Sequence, residues 1–219
     1  MTHIVHPYSH RLGIVRDWKS RWFGVKGKFA SFLKVDIFIR EYLEKRLRGM
    51  YLSSIEIERG PKNLRVIIET SRPGLIIGRN GEGALKLKND LVQAVGKSFK
   101  TKEDIHLDIK EVKTPESNAM IVAQMVSEGL EKRLPFRRVV KQMVEKVMAN
   151  RDVLGVKVIL SGRLGGAEMS RKEKIRKGRV PLQTFRADVD YAHYEAQLPY
   201  GKIGIKIWVY KGEIFAKKQ

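Results

Sequence analysis

A glycine-rich turn, Ile76-Ile77-Gly78-Arg79-Asn80-Gly81, constrains the fold of this chain more than any other feature. An apolar run of strand type at residues 64–68 precedes it, and apolar residues at helical spacing follow from residue 84. Glycines let the backbone of the turn come close to another backbone, and the start of the following helix favours anions. The turn therefore indicates a loop that binds a phosphate backbone.

The elements around this turn have a recognisable order. A helix from Asp36 with Gly49 just past its end is followed by strands at 54–58 and 64–68, and a further helix and strand follow the turn. This order, and the turn as an Ile-Ile-Gly-x-x-Gly signature, resemble the second variety of the KH domain, which has the order α-β-β-α-α-β. The resemblance implies an RNA-binding domain over residues 35–113 whose RNA-contacting loop is formed by Gly78, Arg79, Asn80 and Gly81.

A second domain is predicted over residues 114–219, after the boundary signal Thr114-Pro115. Two amphipathic helices open it, and Pro135 suits the first turn of the second helix. Strands are expected at 156–160, 185–191 and 203–210. The chain is thus predicted to be α+β, with a C-terminal domain of order α-α-β-β-β and a basic ridge between two of its strands.

Charge points to the class of partner. The 219 residues carry a formal net charge of +20, from 44 lysines and arginines against 24 carboxylates. Such a charge indicates a polyanion, because each neutralised phosphate releases a condensed counterion. Cysteine is absent, which excludes disulfides and thiolate metal sites and is typical of a reducing compartment. The first residues lack an apolar stretch after a basic start, so we expect no secretory signal.

Cations concentrate in two segments. Residues 1–34 are predicted to form a basic arm in which cations alternate with aromatics, and Trp18 and Trp22 either stack on RNA or pack on their own domain. Residues 171–179 hold six cations with only Glu173 against them, which predicts a ridge along a phosphate backbone. The positions predicted to contact ribosomal RNA are Arg11, Arg16, Lys19, Arg163, Arg171, Lys172, Lys174, Arg176, Lys177 and Arg179.

The second half of the chain resembles one family closely. The motifs that carry the resemblance are residues 161–168 (SGRLGGAE), 178–182 (GRVPL), 186–191 (RADVDY) and 200–209 (YGKIGIKIWV), with VHP at 5–7 and RLGIV at 11–15 near the start. They are similar to the bacterial form of the universal small-subunit ribosomal protein family S-three, over essentially the whole chain. The opening His3-Ile4 and the pair Tyr8-Ser9 depart from the usual pattern of the family.

This resemblance implies a structural part of the small-subunit head, used in translation in the cytoplasm or inside an organelle. The implied partners are 16S-type ribosomal RNA, messenger RNA and neighbouring head proteins, the tenth and fourteenth small-subunit proteins. The family's basic positions at the messenger entry fall on Arg137, Arg138 and Lys141, where members help to position and unwind the message. From residue patterns alone, the same three cations also fit an ordinary solvated helix face.

The sequence supports other functions less well. A free-standing KH-type RNA-binding protein would not need the second-domain motifs. Asp188 and Asp190 are the best carboxylate pair for a metal-dependent nuclease, but no third ligand accompanies them. His3, His6 and His10 lie in an extended terminus without acidic partners. No phosphate loop of the Gly-Lys-Ser/Thr type occurs, so an ATP-driven helicase is excluded. From these observations together we expect no enzyme, no cofactor, no metal and no membrane partner.

Overall fold

The computed structural model describes residues 5–25, 27–60, 63–99 and 104–215, and the chain divides into two compact units. One unit comprises Trp18–Lys113, and the other combines the described residues up to Asp17 with those from Thr114 onward. The segment predicted to be a separate arm, residues 1–34, is therefore shared between the two units. Both units contain helices and strands, as expected of an α+β chain.

The unit of residues 18–113 is a four-stranded sheet with helices packed on it. Its strand order is β1-β2-β3-β4, with β2 and β3 antiparallel and the two outer pairs parallel. The elements in chain order are β1 (Ser20–Arg21), α1 (Phe29–Arg46), β2 (Leu52–Arg59), β3 (Asn63–Thr70), α2 (Pro73–Ile77), α3 (Glu82–Phe99) and β4 (Asp104–Glu111). From α1 onward this is the α-β-β-α-α-β order of a KH domain, and the prediction is confirmed.

The core of this unit lies between the sheet and the two long helices. Ile39 and Leu43 of α1 and Leu91 of α3 are completely buried, as are Ile57 and Ile68 of the sheet. This packing places the glycine-rich turn at one end of α3, directly after β3 and α2. A rigid sheet and two packed helices thus support the loop.

Helix α1 begins at Phe29, seven residues before the predicted start at Asp36. The sequence did not indicate these first turns, because they carry no buried apolar stripe. Phe29 and Leu33 remain exposed, so the sequence lacks the periodic signal there. Asp36 is buried inside the helix instead, and its carboxylate accepts hydrogen bonds from Ser20 Oγ at 2.7 Å and Trp22 Nε1 at 3.0 Å. Of the two tryptophans of the predicted arm, Trp22 therefore packs on its own unit, whereas Trp18 is 62% exposed.

The other unit packs two helices on one face of an antiparallel sheet. Its strand order is β6-β5-β8-β7. Its elements are α4 (Ala119–Glu131), α5 (Phe136–Met148), β5 (Gly155–Gly162), β6 (Arg171–Gly178), β7 (Ala187–Leu198) and β8 (Gly201–Glu213). The expected α-α-β-β-β order is one strand short, because the predicted basic ridge is itself a strand, β6. As an edge strand with both faces largely exposed, β6 needs no apolar alternation, and charged residues suit such an edge.

The two faces of this sheet have different covers. On the inner face, α4 and α5 pack against a core that includes Val158, Leu160 and Ile205. On the outer face, a smaller cluster joins Trp208 and Tyr210 to Val180 of the segment between β6 and β7. None of the helices described in either unit is long and apolar enough to cross a membrane.

Candidate nucleic-acid interface

The glycine-rich loop turns sharply between α2 and α3. Gly78 has φ +70° and Gly81 has φ +81°, and Asn80 between them adopts the left-handed region at φ +53°. Glycine takes up this region without strain, and asparagine is among the few other residues that tolerate it. Arg79 and Asn80 are exposed at the tip, where a cation and an amide are presented together.

A fifth residue, Gly83, sets the shape of the loop from behind. A Cβ atom at Gly83 would lie 2.6 Å from the carbonyl oxygen of Ile76 and 2.9 Å from that of Ile77. The first turn of α3 therefore packs against the backbone of α2 at a distance that only glycine allows. The Ile-Ile-Gly-x-x-Gly signature does not include this position, although the spacing Gly81-x-Gly83 is visible in the chain.

On the other unit, α5 presents the three cations predicted at the messenger entry. Arg137, Arg138 and Lys141 are all exposed and lie three and four residues apart, so they occupy one side of the helix. Among the described residues, neither Arg138 nor Lys141 forms an ion pair with a carboxylate. Both are thus available to an external anion.

Arg137 is held by the edge strand. Its Nε lies 3.3 Å from both carboxylate oxygens of Glu173 in β6, and its Nη2 donates to Oε1 at 2.9 Å. This hydrogen bonding lowers the pKa of the Glu173 carboxyl group, so the pair stays charged at neutral pH. Glu173, the single carboxylate of the basic strand, orients a guanidinium that still has free N–H groups.

An aromatic ring joins α5 to β6 at the same place. The guanidinium of Arg137 lies 5.7 Å from the ring centroid of Phe136, and that of Arg171 lies 5.5 Å from it. Both distances fit cation–π contacts. Arg171 thus joins the α5 cations in one surface, which spacing along the chain did not reveal.

The remaining predicted cations of this region are largely exposed. Lys172, Lys174, Arg176, Lys177 and Arg179 all reach solvent on or after β6. Arg163 is different, because it is half-buried and its Nε donates to the carbonyl of Ala167 at 2.9 Å. Its guanidinium stabilises the turn after β5, which limits its use for an external ligand.

The position of Arg11 differs from the prediction that it contacts RNA. Its side chain is completely buried and donates to five backbone carbonyls, those of Pro7, Pro181, Leu182, Thr184 and Ala187, at 2.6 to 3.3 Å. Burial lowers the pKa of this guanidinium, while Asp188 acts in the opposite sense. Arg11 has no access to RNA and instead fixes residues 5–17 to the segment before β7.

Arg16 and Lys19 complete the predicted set. Arg16 donates to Asp188 at 2.6 Å in a half-buried ion pair, so it has a structural partner. Lys19 belongs to the other unit, where its side chain is exposed and its carbonyl accepts a hydrogen bond from Ile57 N–H at 2.9 Å.

The carboxylate pair considered for a nuclease has structural roles. Asp188 binds Arg16, and Asp190 accepts the backbone N–H of Ala119 at 2.8 Å at the start of α4. Among the described residues, no group of three or more histidines and carboxylates is arranged to hold a metal ion. His6 and His10 pack against the rings of Tyr191 and Phe185, and His3 lies outside the described residues.

Comparison with known proteins finds a matching family model in each of the two units. Residues 38–117 match the family model of the KH domain, and residues 126–209 match that of the ribosomal protein S3 C-terminal domain. A protein named small ribosomal subunit protein uS3 from Xanthomonas euvesicatoria pv. vesicatoria is 46% identical over 215 residues, which is 98% of this chain and 85% of the relative. Its namesake from Pseudomonas aeruginosa is 44% identical, over 98% of this chain and 91% of the relative.

Proposed function

This chain belongs to the ribosomal protein S3 family, whose members are structural, non-enzymatic proteins of the small ribosomal subunit, and we propose that it guides messenger RNA into that subunit. The proposed place is the subunit head, beside the point at which the message enters. The chain would act there by holding phosphates and not by catalysing a reaction.

The exposed cation surface of α5 is the observation that carries this proposal. Arg138 and Lys141 face solvent and pair with no carboxylate of the described part of the chain, and Arg137 is oriented by Glu173. A rigid helix keeps the three cations at fixed spacing, so that they hold successive phosphates of a separated strand. Strand separation in a stem ahead of the ribosome is then favoured, because the held strand re-pairs more slowly.

Ribosomal RNA is the proposed anchor for the rest of the chain. The glycine-rich loop offers exposed Arg79 and Asn80 on a backbone that is shaped for close approach. Leu75 and Ile77, before the loop, are exposed apolar side chains on which bases can pack. We also propose contacts with the tenth and fourteenth small-subunit proteins in the cytoplasmic ribosome.

The test replaces Arg137, Arg138 and Lys141 together by glutamine, which keeps helix propensity and removes three charges. Ribosomes carrying this α5 variant should slow on a message with a stable stem at the entry and move normally on an unstructured message. Single-ribosome translation through the two messages measures both rates. Equal slowing on both messages, or no slowing on either, would contradict the proposed role.

A matched control removes the same charge elsewhere in the unit. In the paired-cation control, Lys132, Lys146 and Arg186 are replaced by glutamine. Each of these three cations already binds a carboxylate of its own chain, Glu128, Glu116 and Glu213 respectively. This control should pass through the stem at the normal rate.

A further inference from the structure

The outer face of the second sheet carries a cation array that is separate from the α5 surface. Alternate residues of a strand point to opposite faces, so β6 divides its cations between the two. Arg171 and Glu173 lie on the side of α5, as their contacts with Phe136 and Arg137 show. Lys172, Lys174 and Arg176 therefore lie on the opposite, outer side.

Strand register extends this array across three strands. Directly opposite residues share a face, and three cross-strand rows follow from the pairing of β6, β5, β8 and β7. The rows are Arg176–Lys157–Trp208–Tyr191, Lys174–Ile159–Lys206–His193 and Lys172–Ser161–Gly204–Glu195. Five cations thus occupy one face.

This face has a covered half and an open half. In the covered half, Trp208 is 3% exposed because it packs in one apolar cluster with Val180. The centre of its ring lies 4.6 Å from Lys157 Nζ. Lys172, Lys174 and Lys206 are exposed, and none of them is within ion-pair distance of a carboxylate among the described residues. Glu195, the one carboxylate in the three rows, already binds Lys202 Nζ at 2.8 Å.

The array is under internal repulsion. Burial lowers the pKa of the Lys157 ammonium, and the nearby charges of Lys174 and Arg176 lower it further. An external polyanion would relieve this repulsion, whereas a solvated surface of mixed charge would not need one.

The dimensions of the array favour a double helix over a single strand. From residue 172 to residue 176 the array extends about 13 Å along β6, and from β6 to β8 it is about 10 Å wide. Phosphates of one strand form a line, whereas a duplex presents two backbones side by side. A two-dimensional array with rigid spacing fits the second arrangement, and duplex RNA is recognised mainly through its shape and backbone.

We propose that the open half of the outer sheet face binds the backbone of double-helical RNA, separately from the α5 surface. This inference rests on the proposed function for its RNA partner, and it divides the cations of the unit between two tasks. The outer face holds folded RNA, while α5 contacts a separated strand.

The test compares three variants of the full chain. The outer-face variant carries Lys172→Gln, Lys174→Gln and Lys206→Gln, the three exposed cations of the open half, and it spares Lys157, whose replacement would disturb Trp208. The α5 variant and the paired-cation control lose the same charge. Binding of each to a 20-base-pair RNA duplex and to a 20-nucleotide poly(U) strand is measured over a range of salt concentrations, and thermal unfolding checks that all are folded.

The outer-face variant should lower the salt slope for the duplex by about 2 to 3, since each lost phosphate contact removes about 0.9. Its binding to poly(U) should change no more than that of the paired-cation control. Duplex binding equal to that of the control, or equal losses for duplex and poly(U), would overturn the proposal. Unchanged duplex binding with reduced incorporation into small subunits would also overturn it, in favour of an acidic protein partner.

The two proposals fail separately. Normal passage of the α5 variant through message stems would remove the messenger role and leave the outer-face result intact. An unaffected duplex slope in the outer-face variant would remove the duplex site and leave the messenger role intact.

Discussion

Residues 5–17 and strand β6 belong to the same unit and both carry cations, yet they use them in opposite ways. Arg11 is completely buried and donates to five backbone carbonyls, and Arg16 binds Asp188. The cations of β6 mostly face solvent. The difference lies in the acceptors nearby, because the segment before β7 offers a cluster of carbonyls to Arg11. A cation becomes structural where its own chain supplies acceptors, and it is free for a ligand where the chain supplies none.

The largest effect that tests this comparison is expected from Arg11→Met. The substitution keeps apolar bulk but leaves several buried carbonyls without donors, each at a cost of about 1 to 3 kcal/mol when it is not rehydrated. We expect a loss of about 4 kcal/mol in the free energy of unfolding of this unit. The fluorine NMR signal of fluorotryptophan at Trp208 follows this unit during urea unfolding, separately from Trp18 and Trp22.

The matched change in the other region is Arg176→Met. It should alter the free energy of unfolding by no more than about 0.5 kcal/mol, as is usual for exposed sites. Arg11→Met with normal stability but weakened RNA binding would reverse the comparison.

A smaller effect is expected from Arg16→Gln. The ion pair with Asp188 is half-buried, with side-chain exposures of 28% and 19%, and hydrogen bonds to charged groups contribute about 1.5 to 3 kcal/mol. Partial exposure reduces this, so we expect a loss of about 1 kcal/mol, measured by the same unfolding experiment. A second replacement, Asp188→Asn, should add little to the first if the two side chains act as one pair.

The titration of Lys157 tests whether the cations of β6 act on one another. Replacing Lys174 and Arg176 by glutamine removes two repulsive charges and should raise the pKa of Lys157 toward its ordinary value. Burial remains, so the pKa should stay below that value. Heteronuclear NMR of the lysine Nζ group follows the titration, and an unchanged pKa would mean that the three cations do not share one face closely.

The smallest effect concerns the pair between Glu173 and Arg137. Because Arg137 lowers the pKa of Glu173 in the folded state, the pair is intact above the ordinary glutamate range. It is lost only as the pH falls through the lowered value. Arg137→Gln should move the Glu173 titration back toward its ordinary value, as carboxyl carbon NMR would record. A titration that does not respond would show that Glu173 does not hold Arg137.

Much of the fold follows from the sequence, because apolar periodicity marks the long helices and strands that are buried on one side, whereas the short elements β1 and α2 are too brief to show it. Exposed segments are not predicted in this way. Strand β6 has only Ile175 as an inward apolar residue, and the first turns of α1 expose Phe29 and Leu33. In both places a correct assignment depends on neighbours that are distant along the chain.

The candidate site was less predictable than the fold. The cations of α5 and the loop residues Arg79 and Asn80 are exposed as expected. Arg11 was assigned wrongly because four of its five acceptors lie 170 to 176 residues away along the chain, and residue type alone gives no indication of them. Gly83 and Glu173 act through packing and pairing across elements, which local spacing does not express.

The close approach at Gly83 has a consequence for how the loop can vary. Since contact between the backbones of α2 and α3 sets the loop from behind, the side chain of Arg79 contributes little to its shape, whereas Asn80 is held to residues that tolerate a positive φ. Arg79 is therefore open to replacement without loss of the fold, whereas Gly83 is not. Packing thus fixes the backbone of the loop, whereas the side chain at residue 79 can change, so the chemical group that the loop presents to solvent can be altered without altering the fold.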